Sequence, residues 1–157
     1  MLSHHLSPIG AVALLLMLGQ GCASTPPSSG AAPTGGHGHP VVAAAQGVVG
    51  VPYRYGGRTP RGFDCSGLVY YAYRQAGRAV PRTTRDQLHQ ARPVGLDELR
   101  AGDLLFFELD GKKVSHVGIY AGAGSFIHAP STGKTVSYGN LRSAFWSSRL
   151  VRAGRFD

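Results

Sequence analysis

The hydrophobic pattern of this chain changes near Leu96, and this change restricts the folds that the chain can adopt. Before Leu96, apolar residues recur at the spacing of one helical face, most clearly over 65–77. After Leu96, short apolar runs alternate with glycine-containing turns, which is typical of β-strands. Helices followed by a strand meander predict an α+β fold in which N-terminal helices pack on a roughly five-stranded antiparallel sheet.

The boundaries of these elements follow from local signals. Asp64 is the expected N-cap of the second helix, Gly77 is its expected C′ residue, and Thr83 is expected to cap the third helix. Helices are predicted at 41–49, 64–77 and 83–90. Strands are predicted at 104–107, 114–120, 125–129, 135–138 and 149–153, with one or two helical turns at 141–146.

Length and charge limit the broad class of protein. The chain has 157 residues, which fits one compact domain with short extensions, and its two cysteines do not suggest a disulfide framework. The net charge of +8 favours a polyanionic partner such as nucleic acid, anionic lipid or anionic cell-wall polymer. Since there is no dense basic run and no nucleic-acid motif, we expect no nucleic-acid partner.

Residues 1–21 are predicted to be an export signal. Their apolar core, 9–18, is too short to cross a bilayer as a mature helix. The next residue is Cys22, and the segment 18–22 resembles bacterial lipoprotein signals, in which this cysteine becomes the lipidated N-terminus. The resemblance implies an anchor on Cys22 and a location at the periplasmic face of the outer membrane. Secretion without lipidation is the alternative.

Residues 22–40 are rich in Pro, Gly, Ser and Ala. Such a segment buries too little apolar surface to fold, so it is predicted to be a disordered tether in front of a folded domain at 41–157. We interpret His37 and His39 in this segment as spacer residues rather than metal ligands. His89 is interpreted as an exposed helix residue.

Cys65 is placed in the first turn of the predicted second helix. Unpaired N–H groups and the helix dipole at this position favour the thiolate, and can lower a thiol pKa from ~8.5 to roughly 3.5–7.5. This position indicates a catalytic nucleophile. Taken alone, however, a single cysteine is more often a buried structural residue.

Two histidines further along the chain favour the catalytic interpretation of Cys65 over the structural one. His116 and His128 lie on predicted strands joined by a hairpin turn at 121–124. Centring the turn there places His116 opposite Ala129, with His128 as a near neighbour. If the helix that carries Cys65 packs on the face of these imidazoles, the three residues form a nucleophile, a base and a group that orients the base. The alternative is a zinc site with these three ligands and a water.

Six blocks of the sequence resemble, in order, the NlpC/P60 family of bacterial cell-wall peptidases, which have a papain-like fold. The most specific blocks are Phe63-Asp64-Cys65-Ser66-Gly67 and His116-Val117-Gly118-Ile119-Tyr120. The full set lies at 51–57, 63–67, 81–84, 99–104, 116–120 and 126–129. The resemblance covers roughly 41–156, essentially the whole predicted domain at 41–157, which it identifies as a catalytic domain.

The resemblance assigns roles to individual residues. It implies that Cys65 is the nucleophile, His116 the general base and His128 the orienting third member. It also implies that Tyr53 and the Cys65 backbone N–H bind the oxyanion. The two residues that it places in the substrate-peptide site are Asp64 and Ser66. Arg82 also matches a family position, and we interpret it as structural.

The implied activity is peptidoglycan endopeptidase, without cofactor or metal. The bond would be an amide of murein stem peptides, either D-γ-glutamyl–diamino acid or the D-Ala–diamino acid cross-link, and the sequence does not choose between them. We expect a monomer whose partners are stem peptides and, through Cys22, a membrane. The alternatives are a non-catalytic cell-wall-binding lipoprotein, and an amidase or acyltransferase that uses the same nucleophile.

Overall fold

The computed structural model describes residues 38–157. The predicted export signal, His37 and the predicted lipidation site Cys22 lie outside the described residues. The helices are α1 (Pro40–Gln46), α2 (Cys65–Gln75), α3 (Thr84–Gln90) and α4 (Ala144–Ser147), with a 3-10 turn at Leu96–Glu98. The strands are β1 (Arg58–Thr59), β2 (Gly62–Phe63), β3 (Arg92–Val94), β4 (Leu104–Phe107), β5 (His116–Gly122), β6 (Ser125–His128), β7 (Ser137–Asn140) and β8 (Leu150–Arg155).

The main sheet is antiparallel and has six strands in the order β3-β8-β4-β5-β6-β7. The α+β prediction is confirmed, but its estimate of about five strands is one too few. Within the main sheet, the strand that was not predicted from the sequence is β3, which contains Pro93 and pairs only with β8. Proline removes a backbone donor, and an edge strand tolerates that loss because one of its sides has no partner strand.

Helix α2 has the caps that were predicted for it. The Asp64 side chain accepts a hydrogen bond from the Gly67 N–H, at 2.6 Å. At the other end Gly77 has φ +73°, the Gly77 N–H bonds the Arg74 carbonyl, and the Arg78 N–H bonds the Tyr73 carbonyl. These two bonds are those of a Schellman motif. The predicted range 64–77 is therefore the helix together with its caps.

The other helices lie where they were predicted, although α1 ends at Gln46, three residues before its predicted end. Thr83 caps α3 by accepting a bond from the Asp86 N–H, and His89 is exposed on that helix. Helix α1 begins at Pro40, which is the last residue of the segment predicted as a tether. Within residues 38–157, no helix is both long enough and apolar enough to cross a membrane.

The sheet has a buried apolar layer on each face. On one face, β4, β5 and β6 pack against α1 and α2 through aliphatic and aromatic side chains. On the other face, Phe107 and Phe126 pack against Trp146 of α4. All four residues of β4 are fully buried, because this central strand is covered on both sides.

The hairpin between β5 and β6 contains one more residue than was predicted. Tyr120 lies opposite Phe126 and Gly122 lies opposite Ser125, which leaves Ala121 as a bulge. The predicted register, with His116 opposite Ala129, is therefore wrong by one residue. Residues directly opposite each other share a face, and a slip of one residue reverses the faces. The observed register puts His116 and His128 on the same face, whereas the predicted register would have separated them.

Candidate active site

The backbone around Cys65 is closely packed at two glycines, one before Cys65 and one after it. A Cβ on Gly67 would lie 1.9 Å from the Gly57 carbonyl oxygen, and a Cβ on Gly57 would lie 2.3 Å from the Gly62 carbonyl oxygen. Only glycine permits backbones to approach this closely. The glycines of the family-like blocks therefore fix the start of α2, and with it Cys65, against the preceding loop.

Asp64, Ser66 and Arg82 form a hydrogen-bonded cluster beside Cys65. Arg82 binds the Asp64 carboxylate with two nitrogens, at 3.0 and 2.7 Å, and donates to the Ser66 hydroxyl at 3.0 Å. Arg82 also donates to the Gly57 carbonyl. This geometry supports the structural interpretation of Arg82, because the guanidinium joins its own loop to the start of α2. The predicted substrate contacts of Asp64 and Ser66 remain predictions.

The sulfur of Cys65 lies among hydrogen-bonding groups at the start of β5. It is 3.6 Å from the Thr84 hydroxyl, and the backbone N–H groups of Val117 and Ser66 lie close enough to favour its thiolate form. The Val117 N–H belongs to the peptide group that joins Val117 to His116. Thr84 is a contact that the sequence analysis missed, although it lies in one of the family-like blocks.

Burial raises the pKa of the Cys65 thiol, despite the opposing effect of these polar groups. The expectation of a lowered thiol pKa is therefore wrong for the free protein. Removing the sulfur from water disfavours the charged thiolate. No charged imidazole compensates, because the nearby histidines are neutral. The resting site holds a thiol beside neutral imidazoles.

His116 and His128 are hydrogen-bonded to each other. His116 Nε2 lies 2.8 Å from His128 Nδ1, and the residues are only 3% and 4% exposed. Burial, followed by the proximity of His128, lowers the pKa of His116 to about 3. Burial, followed by the charge of Lys134, lowers the pKa of His128 to about 4. Both rings are therefore neutral at physiological pH.

The histidine pair lies on the sheet face that α2 does not cover. Helix α2 packs on the face of Val117 and Ile119, while the imidazoles contact Trp146 on the other face. The expectation that α2 packs on the histidine face is wrong. Cys65 instead meets the sheet at the start of β5, where its sulfur lies close to the Val117 N–H. The site thus lies at the end of the strands rather than on one face.

Trp146 covers the imidazole pair, and sequence reasoning gave it no role. Its ring stacks on His116 with centroids 5.7 Å apart and an interplanar angle of 28°. It also meets His128 edge-on at 5.0 Å, and Phe107 and Phe126 lie at its other sides. The only sequence signal was that this is the sole tryptophan of the chain. Its position explains why solvent has little access to the two imidazoles.

Tyr53 is half-buried near Cys65. Burial raises the pKa of its phenol, and the proximity of Cys65 and Asp64 raises it further. The phenol therefore carries its proton at neutral pH and is available as a hydrogen-bond donor. Its predicted oxyanion role remains a prediction.

No group of three or more Cys, His, Asp or Glu side chains in the described part of the chain is placed to hold a metal ion. Cys65, His116 and His128 are therefore not arranged as the ligands of the alternative zinc site.

A thiol at a helix start, close to the strand start that carries one of two hydrogen-bonded imidazoles, is consistent with hydrolases that use a cysteine nucleophile. The chain belongs to the NlpC/P60 family, whose sequence model matches residues 50–155. This result confirms the resemblance found in the sequence.

Curated proteins and solved structures agree with this assignment. The chain is 45% identical over 112 residues to the murein DD-endopeptidase MepH of Escherichia coli (strain K12), covering 68% of this chain and 41% of that protein. It is 44% identical over 122 residues to the gamma-DL-glutamyl hydrolase of Bacillus subtilis (strain 168), covering 75% of this chain and 29% of that protein. The match therefore spans less than half of either relative.

Among solved structures, the NlpC/p60 domain of the peptidoglycan hydrolase SagA is similar over nearly its whole length. The TM-score is 0.65 at 36% sequence identity, and the match covers 74% of this chain and 97% of that domain. The fold described for residues 38–157 is therefore the NlpC/P60 fold.

Proposed function

We propose that this protein is a peptidoglycan endopeptidase that cleaves an amide bond of murein stem peptides, with Cys65 as the nucleophile. The observation that carries the proposal is the contact of the Cys65 sulfur with the strand start that bears His116, itself hydrogen-bonded to His128. The related proteins supply the substrate class. In both candidate bonds the leaving amine belongs to the diamino acid, while the acyl group is γ-D-glutamyl or D-alanyl.

The mechanism follows from the neutral resting state. Because His116 Nε2 faces His128, the other nitrogen, Nδ1, is the one that takes the thiol proton as sulfur attacks the carbonyl carbon. The Nε2–H then donates to His128 Nδ1, which orients the ring and stabilises the imidazolium. Proton transfer and attack are thus coupled, and no thiolate needs to exist before substrate arrives.

The tetrahedral intermediate carries its charge on the former carbonyl oxygen. The Tyr53 hydroxyl and the Cys65 backbone N–H are the donors that we assign to this oxyanion. His116 then gives its proton to the departing amine, which leaves a thioester on Cys65. A water activated by His116 hydrolyses the thioester and restores the thiol.

Digestion of purified sacculi tests the proposal. Wild-type protein should release soluble fragments, and Cys65→Ser should release roughly 10⁴-fold less per unit time. Mass spectrometry identifies the bond: cleavage at the γ-glutamyl bond leaves fragments that end in glutamate, whereas cleavage of the cross-link leaves fragments that end in D-alanine. Equal release by wild type and Cys65→Ser would refute a thiol mechanism.

Two alternatives are addressed with the same proteins. If wild-type protein binds sacculi but releases nothing, the protein is a non-catalytic wall-binding lipoprotein. If an added amine nucleophile appears in the products in place of water, the chemistry is acyl transfer. A cysteine-directed probe that labels Cys65 in wild type, and labels His116→Ala much more slowly, supports the enzyme.

We also propose that residues 1–21 direct export and that Cys22 carries a lipid anchor, with the tether 22–40 in front of the catalytic domain 41–157. The support is the sequence pattern around Cys22 and the cell-wall substrate of the relatives. Metabolic labelling with palmitate should mark the wild-type protein and not Cys22→Ala. Equal labelling of the two proteins would refute the anchor.

A further inference from the structure

Four exposed arginines of this protein lie in a part of the sequence that has few acidic residues. The first acidic residue of the chain is Asp64, and the next is Asp86. Asp64 is bound to Arg82. In the described part of the chain, none of the four ion pairs involves Arg54, Arg58 or Arg61, which are exposed in and beside the β1–β2 hairpin. The same holds for exposed Arg74 on α2.

Two of these arginines flank an aromatic ring. The Arg58 and Arg74 guanidinium carbons lie 5.9 and 5.4 Å from the centroid of the Tyr70 ring, and Arg74 donates to the Tyr70 hydroxyl at 2.7 Å. Such cation–π contacts hold an extended guanidinium in place. We call Arg58, Tyr70 and Arg74 the arginine–tyrosine surface.

Two open grooves share Tyr70 and Arg74 in their lining. One, of about 290 Å³, is lined by Arg58, Thr59, Tyr70, Tyr71, Arg74 and Gln75. The other, also of about 290 Å³, is lined by Tyr70, Arg74, Gly77, Arg78, Ala79 and Val80. Two neighbouring open grooves that share an arginine suit a long chain with repeated negative groups better than they suit one small anion.

Carboxylates are the chemical match for this surface. A guanidinium presents paired N–H donors that fit the two oxygens of a carboxylate. A γ-linked D-glutamyl residue keeps its α-carboxylate free, so every uncleaved stem peptide of a murein strand carries negative charge. The surface also shares helix α2 with Cys65: Tyr70 and Arg74 lie about 8 and 13 Å further along the helix axis.

We propose that the arginine–tyrosine surface binds the peptide carboxylates of an intact murein strand next to the one being cut. This inference rests on the proposed function, because it takes the murein strand as the substrate. The surface holds the enzyme on cross-linked wall without contacting the reacting bond. It also gives the excess positive charge a partner, an anionic cell-wall polymer rather than nucleic acid.

The test is binding of full-length Cys65→Ser protein to purified sacculi, measured by co-sedimentation. The charge-matched pair of variants is Arg58→Gln/Arg74→Gln and, as the control, Lys112→Gln/Lys113→Gln in the exposed loop before β5. We expect the first variant to bind sacculi about three- to tenfold more weakly than the control. The difference should disappear in 0.5 M NaCl, because salt screens exposed charges.

A second measurement separates this surface from the active site. With Cys65 intact, Arg58→Gln/Arg74→Gln should hydrolyse a soluble stem peptide within about twofold of wild type, because exposed substitutions away from a site have small effects. Digestion of intact sacculi by the same variant should slow in proportion to its weaker binding.

Three outcomes would overturn the proposal. Equal sacculus binding by the two double variants would show that the surface has no role. A loss of binding to vesicles of anionic phospholipid, with sacculus binding unchanged, would show that the partner is a lipid headgroup. A proportional loss on soluble peptide would place the arginines in the active site. Failure of the proposed function is a separate result, since Cys65→Ser binding does not depend on cleavage.

Discussion

Two buried polar clusters lie at opposite ends of strand β4, and they differ in what burial does to them. At its start, Asp103 is 2% exposed and binds Arg155 through two bonds of 2.6 and 2.7 Å. Opposite its last residue, Phe107, lies His116, which binds only His128 among side chains. Adjacent strand positions advance by about 3.4 Å, so only roughly 10 Å separates the two ends of β4.

The two clusters differ in the number of hydrogen-bond partners of their buried groups. The Asp103 carboxylate also accepts the Arg100 N–H, and Arg155 also binds the Glu98 carbonyl, so this charge is fully compensated. Each imidazole has the other ring as its side-chain hydrogen-bond partner, and both rings also contact Trp146. A buried charge with hydrogen-bonding partners stays ionised, and losing one partner is costly, whereas a buried titratable group without a counter-charge becomes neutral and remains able to accept a proton.

The largest expected effect separates chemistry from folding. His116→Gln keeps a side chain of similar size and removes the base, so hydrolysis of a stem peptide should fall by at least about 10³-fold. The near-UV circular dichroism spectrum should stay that of a folded protein. A rate within tenfold of wild type would show that His116 is not the base.

At the start of β4, substitution of Asp103 should lower stability and leave the reactivity of Cys65 unchanged. Asp103→Asn leaves Arg155 without its counter-charge, so the free energy of unfolding should fall by about 3–5 kcal/mol. Urea unfolding at 15 °C measures this loss. The rate of Cys65 alkylation in the folded protein should not change.

A double-mutant cycle serves as the control for Asp103. Arg155→Gln in the Asp103→Asn background should cost much less than Arg155→Gln alone. Additive losses would mean that the two side chains act independently, and the comparison between the clusters would then fail.

Tyr53→Phe extends the comparison to the proposed oxyanion site near Cys65. Loss of one oxyanion donor should lower turnover by about 10²-fold and leave the free energy of unfolding unchanged. Tyr55→Phe is the matched control, because Tyr55 is 90% exposed two residues away. If the two variants have equal rates, Tyr53 is a packing residue.

Acid should destabilise the protein through the histidine pair. The folded-state pKa values of His116 and His128, about 3 and about 4, lie below the ordinary 6.5. Between these values the unfolded chain binds more protons than the folded protein, so the free energy of unfolding falls as pH falls below about 6.5. Each histidine contributes up to about 1.4 kcal/mol per pH unit.

The acid effect has an internal control. His116→Gln/His128→Gln should flatten the pH dependence of urea unfolding between pH 6.5 and 4.5, while His89→Gln, on an exposed site, should leave it as in wild type. An unchanged slope in the double variant would show that these imidazoles are not buried in the neutral form.

The smallest effect concerns the cover of the imidazoles. Trp146→Leu should lower turnover roughly two- to tenfold, and Trp146→Phe less, since the aromatic contact is kept. In the leucine variant water reaches His116, so its pKa should rise toward 6.5 and the acid limb of the activity profile should move to higher pH. If both variants lower the rate without moving the profile, Trp146 contributes packing alone.

Local signals predicted most of the fold because they act over a few residues. The caps of α2 and α3 are read from Asp64, Gly77 and Thr83, and the buried strand β4 from four consecutive apolar residues. Strand β3 was missed because its only partner, β8, lies about sixty residues further along the chain. The Thr84 contact was missed for the same reason, since it depends on how α3 packs beside α2.

The sequence by itself singled out the residues to which we assign the chemistry, and it placed the caps of α2 and α3. Only the tertiary structure decided how those residues are arranged: a single bulge at Ala121 puts both imidazoles on one face, and the start of β5 lies close to the Cys65 sulfur. It also decided their charge, because the burial that keeps the imidazoles neutral and the thiol protonated comes from distant side chains such as Trp146. Register and desolvation are properties of the packed chain, and no short stretch of sequence contains them.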